Sequence, residues 1–246
     1  MKKPKTAFFD FACCEGCQLQ VTNMGDIVVA MLGMLDIVEF REVLSETWDG
    51  DLDIAIIEGS ITDEHAVERI NEIRKRSRIL IAYGSCATIG GVNGMKNTFN
   101  LAEIGQYVYG ERFKLFPTDI TRAVHQVVKV DYFINGCPVY IPEVLTVVKA
   151  VMQGIPYAVP DYPVCIDCKL NENVCMYDKG VSCLGPVTRA GCNSWCINNG
   201  NICYGCRGMI SNPNERGARD VLSKYAVPVE LIVHKMDMYN TCRELR

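Results

Sequence analysis

The sequence predicts an α/β protein in two parts, an open, doubly wound sheet of parallel strands followed by a smaller, irregular domain. From residue 5 to residue 154, short apolar runs alternate with longer amphipathic segments, which is the pattern of strands and helices in a parallel sheet. Over residues 164–206 this pattern is replaced by eight cysteines and few apolar side chains. The composition, 49% hydrophobic and 22% charged residues, is that of a folded globular chain.

Five apolar runs predict the strands, at residues 6–11, 37–40, 53–57, 78–82 and 132–134. Several are apolar almost throughout, as expected of strands that helices cover on both faces. A helix is predicted over 63–76, with Thr62 as its N-cap and three basic residues in its last turn, where positive charge is favourable. Another is predicted over 142–153, ended by Gly154. Together these elements indicate a flavodoxin-like fold.

A domain boundary is predicted near residue 157, where prolines at 156, 160 and 163 interrupt the periodic pattern. The predicted domains are 1–157 and 158–246, the second ending in a helical tail that contains Val221 and Leu222. Because the cysteine-rich stretch cannot fill a hydrophobic core of ordinary size, we expect bound metal to hold it together.

Charge and hydropathy argue against two kinds of partner. A net charge of −4 gives no basic surface of the kind that binds a nucleic-acid backbone. The longest apolar run, residues 27–35, is too short to cross a bilayer, so no direct membrane span is predicted. The basic N-terminus lacks a cleavage site or a twin arginine, and we therefore expect a cytoplasmic protein with reduced thiols. In that compartment 14 cysteines indicate metal or cluster ligands rather than disulfides.

Four cysteines follow predicted strands of the first domain. Cys14 and Cys17 follow the first strand, Cys86 the fourth and Cys137 the fifth. The carboxyl ends of parallel strands share one edge of a sheet, so these four thiols can converge on one ligand. The Cys-x-x-Cys spacing lets two thiolates hold one centre, and a glycine shortly before Cys86 and Cys137 allows the backbone to approach it closely.

Eight further cysteines form two sets of four in the second domain. The sets are Cys165, Cys168, Cys175 and Cys183, then Cys192, Cys196, Cys203 and Cys206. A 4Fe-4S cubane takes four thiolates, so the twelve cysteines of both domains can hold three cubanes. Two structural zinc sites would use the same eight residues, and spacing alone leaves both interpretations open.

The chain resembles the small subunit of nickel-iron hydrogenases in five segments, which occur in the order of that family. They are Cys13-Cys14-Glu15-Gly16-Cys17, Glu58-Gly59-Ser60, Gly84-Ser85-Cys86-Ala87-Thr88-Ile89-Gly90-Gly91, Asn135-Gly136-Cys137-Pro138 and Cys203-Tyr204-Gly205-Cys206. The resemblance is greatest to the cytoplasmic multisubunit enzymes, including the delta subunit of sulfhydrogenases and the small subunits of hydrogenases linked to heterodisulfide reductase.

This resemblance implies an electron-transfer subunit that has no catalytic residues of its own and is inactive alone. The proximal 4Fe-4S cluster would be held by Cys14, Cys17, Cys86 and Cys137, the distal one by Cys165, Cys168, Cys175 and Cys183, and the medial one by Cys192, Cys196, Cys203 and Cys206. The nickel-iron centre would lie only in a partner large subunit. Electrons from H2 oxidation, or for H2 evolution, would be exchanged with a flavin- or iron-sulfur-containing oxidoreductase subunit.

The chain departs from the periplasmic members of that family at two positions. Those members have a histidine at the first distal position and a three-iron medial cluster, whereas this chain has Cys165 and a fourth medial candidate, Cys196. The departure suggests three all-cysteine cubanes, with crossed ligation between the two C-terminal sets left open. Two other functions stay open: a single-cluster subunit like that of respiratory complex I, against which the eight-cysteine domain argues, and a non-catalytic redox and zinc-ribbon interaction protein.

Several other residues receive simpler interpretations. Cys13 is expected to be a small packed hydrophobe, because neighbouring side chains on an extended segment face opposite sides. Cys242 is interpreted as an incidental thiol. Glu58 and Glu15 flank the predicted proximal site. A carboxylate there would tune the reduction potential of the cluster or relay protons, or it would simply accept hydrogen bonds in a turn. Structural roles are expected for the histidines, His65, His125 and His234.

Overall fold

The computed structural model describes residues 3–242, and its centre is a five-stranded parallel sheet. The strands are β1 (Lys5–Asp10), β2 (Asp36–Phe40), β3 (Leu52–Glu58), β4 (Ser77–Tyr83) and β5 (Tyr132–Ile134). Their order across the sheet is β2-β1-β3-β4-β5, which is the flavodoxin-like order. The predicted fold class is therefore confirmed, and each predicted strand end lies within one residue of the observed one.

Helices surround this sheet and continue into the second half of the chain. In the first half they are α1 (Gly16–Thr22), α2 (Asp26–Met34), α3 (Glu64–Arg76), α4 (Gly84–Ile89), α5 (Leu101–Tyr109) and α6 (Ile141–Gln153). In the second half they are α7 (Val164–Leu170), α8 (Trp195–Asn198), α9 (Glu215–Lys224) and α10 (Val229–Asp237). Short 3-10 helices cover Val92–Thr98, Gly110–Leu115 and Val124–Gln126.

The N-cap of α3 is Asp63 rather than the predicted Thr62. The Asp63 carboxylate accepts a hydrogen bond from the backbone N–H of Ala66 at 2.8 Å. A charged carboxylate at the positive end of the helix is a stronger acceptor than a hydroxyl, and the Thr62 hydroxyl instead donates to Asp63. At the end of α6, Gly154 adopts the left-handed conformation at φ 66°, as the terminating glycine was predicted to do.

Both faces of the sheet are buried, which explains why its strands are apolar almost throughout. Phe8, Ile56 and Ile81 face a core formed with α1, α2 and α6. Alternate residues on the same strands, such as Phe9 and Ile57, face a second core formed with α3 and α4. Because successive strand residues point to opposite faces, two separate layers of helices are needed to cover them.

The second half of the chain has a smaller apolar cluster of its own. Several cysteines belong to this cluster, and side chains of α9 and α10, including Val221 and Ile232, pack against it. The helical pattern predicted through Val221 and Leu222 is confirmed by α9. Within residues 3–242, no helix has both the length and the apolar character needed to cross a membrane.

Candidate iron-sulfur cluster sites

The first cysteine set lies at the carboxyl edge of the sheet. The last residues of four strands are in register across this edge, with Asp10 paired to Glu58, Glu58 to Tyr83, and Tyr83 to Ile134. The loops that follow therefore start at the same level. These loops hold the four predicted thiols, with Cys17 in the first turn of α1, Cys86 in α4, Cys14 before α1 and Cys137 after β5. The sequence-based expectation that strand ends bring this set to one edge agrees with the structure.

The thiols of this first set interact electrostatically with one another. Burial is the main cause that raises the pKa of Cys86 to about 12, and charge on Cys137, then on Cys13 outside the set, then on Cys14 raises it further. Burial also raises the pKa of Cys17, with Cys137 and Cys86 among the lesser causes. Buried thiols such as Cys17 and Cys86 resist losing protons unless a cation compensates the charge, and an iron-sulfur cluster supplies such compensation. The donor set therefore fits a cluster.

Glycine allows two backbone segments to approach these sulfurs. A Cβ atom added at Gly84, whose φ is 85°, would lie 2.5 Å from the Cys17 sulfur. One added at Gly91, at φ 58°, would lie 2.8 Å from the Cys86 sulfur. Any side chain at either position would displace a thiol of the set. The peptide bond that precedes Pro138 is cis.

Glu58 is a buried hydrogen-bond acceptor beneath the first set. It is 2% exposed, and its carboxylate accepts from the backbone N–H groups of Cys17 at 3.1 Å and Gln18 at 2.9 Å. Burial raises the pKa of this carboxyl, although both backbone hydrogen bonds oppose the shift. The sequence left two roles open for this residue, at the cluster or as a hydrogen-bond acceptor in a turn, and these contacts favour the acceptor role. Glu58 satisfies the N-terminal N–H groups of α1 and thereby fixes the loop that holds Cys14 and Cys17.

Gln18 was missed by the sequence analysis. Its side chain is 1% exposed, yet neither its amide nitrogen nor its amide oxygen has a hydrogen-bond partner. A buried polar group without a partner is costly, so a native structure usually supplies one. Gln18 follows Cys17 directly, and a cluster held by the first set would offer sulfur acceptors beside it. Only the burial of Gln18 reveals this feature, since glutamine at a helix start has no sequence signal of its own.

The set that begins with Cys165 surrounds a single cavity. All four of its members line this cavity of about 130 Å³, whose remaining wall includes Val164, Ile197 and Val221. The cysteines are Cys165, Cys168, Cys175 and Cys183. Burial, followed by charge on Cys183, raises the pKa of Cys165 to about 12. Four sulfur donors around one apolar cavity fit a cluster with four thiolate ligands.

The set that begins with Cys192 lies between the other two. Burial raises the pKa of Cys206 to about 12, and Cys192 is the next cause. Cys192 is likewise the first charged neighbour that acts on Cys196. The Ser85 hydroxyl, next to Cys86, donates to the backbone oxygen of Cys206. These contacts place one end of this set beside the first.

The other end of this set touches the cavity set. The backbone N–H of Cys203 donates to the Cys183 sulfur at 3.2 Å, and charge on Cys206 raises the pKa of Cys203 further after burial. Through these contacts the three sets follow one another in space. Within residues 3–242, no three histidine, cysteine, aspartate or glutamate side chains are grouped so as to hold a single metal ion.

Two cysteines lie outside the three predicted sets. Cys13 is partly buried, and burial raises the pKa of its thiol to about 12. Cys242 is more than an incidental thiol, because it is 7% exposed and donates to the backbone oxygen of Thr121 at 3.0 Å. Its sulfur fills space left open by Gly90 and Gly94. Cys242 therefore packs onto the segment that follows Cys86.

Comparison with known proteins shows the family of this chain. Residues 14–151 match the family described as the 20 kDa subunit of NADH-ubiquinone oxidoreductase. The chain belongs to this family. It is 36% identical to subunit delta of sulfhydrogenase 2 from Pyrococcus furiosus, over 94% of this chain and 97% of that relative. It is 25% identical to the iron-sulfur subunit of the F420-non-reducing hydrogenase of Archaeoglobus profundus, over 88% and 86% of the two chains.

A solved structure shows the same fold at low sequence identity. A chain of the H2-activated [NiFeSe]-hydrogenase of Dm. baculatum superposes with a TM-score of 0.57 and 16% identity, over 84% of this chain and 95% of that one. These findings confirm the predicted resemblance to hydrogenase small subunits. They also confirm the predicted class, a subunit of an oxidoreductase of the nickel-iron hydrogenase type, and they support iron-sulfur clusters as its cofactors.

Proposed function

We propose that this chain relays electrons through three 4Fe-4S clusters between the nickel-iron centre of a hydrogenase large subunit and a partner oxidoreductase that contains flavin or further clusters. The observation that carries the proposal is the succession of three cysteine sets in space, joined by the contacts from Ser85 to Cys206 and from Cys203 to Cys183. In this assignment the set of Cys14 holds the proximal cluster, the set of Cys192 the medial one and the set of Cys165 the distal one.

Each cluster, when bound, would accept and release one electron at a time. The chain's own residues hold the clusters and control their surroundings. Cys17, Cys183 and Cys203 are buried, so their side of each cluster is shielded from water. The backbone N–H that Cys203 donates to the Cys183 sulfur is the kind of hydrogen bond that favours a reduced, more negative cluster.

The partners follow from what this chain provides. Its predicted ligand sets use twelve of the 14 cysteines, and the nickel-iron chemistry is assigned to the large subunit alone. Oxidation of H2 there would release electrons toward the proximal cluster, and H2 evolution would reverse the direction. We further propose a cytoplasmic location, because the many unpaired thiols suit a reducing compartment.

The test uses the complex as purified with its large subunit, under anaerobic conditions. Cys17→Ala should abolish H2-dependent reduction of a dye by the distal end of the relay, while the large subunit keeps its nickel. Cys13→Ala is the matched control, since it removes a partly buried thiol four residues away that lies outside the predicted set. Full activity of the Cys17→Ala complex would overturn the proximal assignment.

Two alternative functions predict different iron and zinc contents for the same purified complex. A single-cluster subunit of the complex I type would contain about four irons and no zinc, because only the set of Cys14 would bind a cluster. A zinc-ribbon interaction protein would contain about four irons and about two zinc ions. Either composition would replace the three-cluster relay.

A further inference from the structure

Arg207 is a fully buried cation that the sequence analysis did not single out. It is 0% exposed and follows Cys206 directly in the chain. Its Nε donates to the backbone oxygen of Ala190 at 2.7 Å, and its Nη1 donates to the backbone oxygen of Asn135. The Asn135 amide in turn donates to the backbone oxygen of Arg207 at 2.8 Å. These bonds connect the cysteine-rich half of the chain to the loop that holds Cys137.

The counter-charge is Glu143, which lies in the first turn of α6. Its carboxylate, 6% exposed, receives two parallel hydrogen bonds from the guanidinium, at 2.6 Å from Nη1 and 2.7 Å from Nη2. The Tyr157 hydroxyl donates to the same carboxylate at 2.6 Å. A bidentate, buried pair of this kind holds the charge of Arg207 at one place in the structure.

The guanidinium lies against the medial set. A Cβ atom added at Gly191, the residue before Cys192, would lie 2.5 Å from Nη2 of Arg207. The Oε1 atom of Glu143 would lie farther from that Cβ atom, at 3.2 Å. The residue after Gly191 is Cys192, and Arg207 itself follows Cys206. The ion pair therefore presents its positive end to the backbone that carries these two medial cysteines.

We propose that Arg207, held by Glu143, is a positioning residue that raises the reduction potential of the medial cluster by placing a fixed positive charge beside Cys192 and Cys206. The inference rests on the proposed function, since it requires a medial cluster. Reduction adds one electron to the cluster and transfers no proton and breaks no bond. A nearby positive charge stabilises the reduced form, which has one more negative charge.

The test is an anaerobic redox titration of the holo-complex, followed by electron paramagnetic resonance. The medial signal is the one that Cys196→Pro alters. Arg207→Met should lower the medial potential, so that the ratio of reduced to oxidised cluster at a fixed potential falls about tenfold, or about 59 mV for one electron. Glu143→Gln should raise that ratio by a smaller factor, because the Glu143 Oε1 atom lies farther from the Gly191 position than Nη2 of Arg207 does, at 3.2 Å against 2.5 Å. Arg207→Lys keeps the charge and should remain within threefold of the wild-type ratio.

The direction of the change in the medial potential separates an electrostatic role from a structural one. Damage to the fold would shift the medial potential of Arg207→Met and Glu143→Gln in the same direction, or remove iron from both variants. The proposal requires that the potential fall in Arg207→Met and rise in Glu143→Gln. Equal shifts, or no shift in either variant, would overturn it. The distal potential is the internal control and should stay unchanged.

A double variant covers the case in which the single variants fail to assemble. Arg207→Met combined with Glu143→Gln leaves no unpaired buried charge, and replacing both partners of such a pair is tolerated far better than removing one. Its medial potential should still lie below that of the wild type, because the guanidinium is the partner that lies nearer to the medial set. A fully loaded double variant with the wild-type potential would overturn the proposal. A wild-type complex with no medial signal would instead contradict the proposed function.

Discussion

Replacing Gly84 by alanine should remove the proximal cluster and leave the other two. The new Cβ atom would lie 2.5 Å from the Cys17 sulfur, whereas ordinary contact requires about 3.5–4 Å. The sulfur must therefore move by about 1 Å. Metal-ligand distances tolerate only about 0.2 Å, so the displacement is several times what a cluster site can absorb. The φ of 85° adds backbone strain of about 1–2 kcal/mol for any residue other than glycine.

Gly154→Ala is the matched control for this variant. Gly154 also has a positive φ, of 66°, but nothing lies within 4 Å of an added Cβ atom, so that variant has the strain without the clash. The assay is iron and acid-labile sulfide per chain in the anaerobically purified complex. Gly84→Ala should retain about eight irons and Gly154→Ala about twelve. Equal, full loading of both variants would refute the assignment of Cys17 to the proximal cluster.

Three further changes test other parts of the structure. Asp63→Ala should destabilise the complex by about 1 kcal/mol in thermal unfolding, because it removes the α3 cap, while Thr62→Ala should lower the stability much less. Equal losses of stability in the two variants would contradict the observed cap. Cys196→Pro should convert the medial site to a three-iron form, seen by electron paramagnetic resonance after oxidation, and proline is tolerated there because Cys196 lies in the first turn of α8. An unchanged spectrum would remove Cys196 from the ligand set. Cys242→Ala should keep all iron and lose about 1 kcal/mol of stability with its buried contacts, and a loss of iron would make Cys242 a ligand.

The sheet and the first cysteine set were predictable because local patterns determine them. Apolar runs define the strands, and the parallel arrangement brings all strand ends to one edge whatever the separation in sequence. Cys14 and Cys137 are therefore placed together by topology alone. No such rule groups the eight later cysteines, because their segment is irregular. Their grouping is suggested only by the cavity that the set of Cys165 lines and by the contacts of the set of Cys192.

Residues that act through long-range contacts were not predictable. Arg207 and Glu143 are 64 positions apart, and each in isolation has the sequence appearance of a surface charge. Gln18 becomes notable only once its side chain is seen to be buried without a partner. The choice between Asp63 and Thr62 as N-cap depended on a shift of one residue, which is finer than a periodic pattern can resolve.

The most direct test of the central claim is the metal and sulfide content of the anaerobically purified complex, expressed per copy of this chain after subtraction of the partner subunits. The account predicts about twelve irons, about twelve sulfides and no zinc, because three sets of four cysteines each hold one cubane. About four irons together with about two zinc ions would contradict it, leaving a single cluster at the edge of the sheet and structural zinc in the second half of the chain.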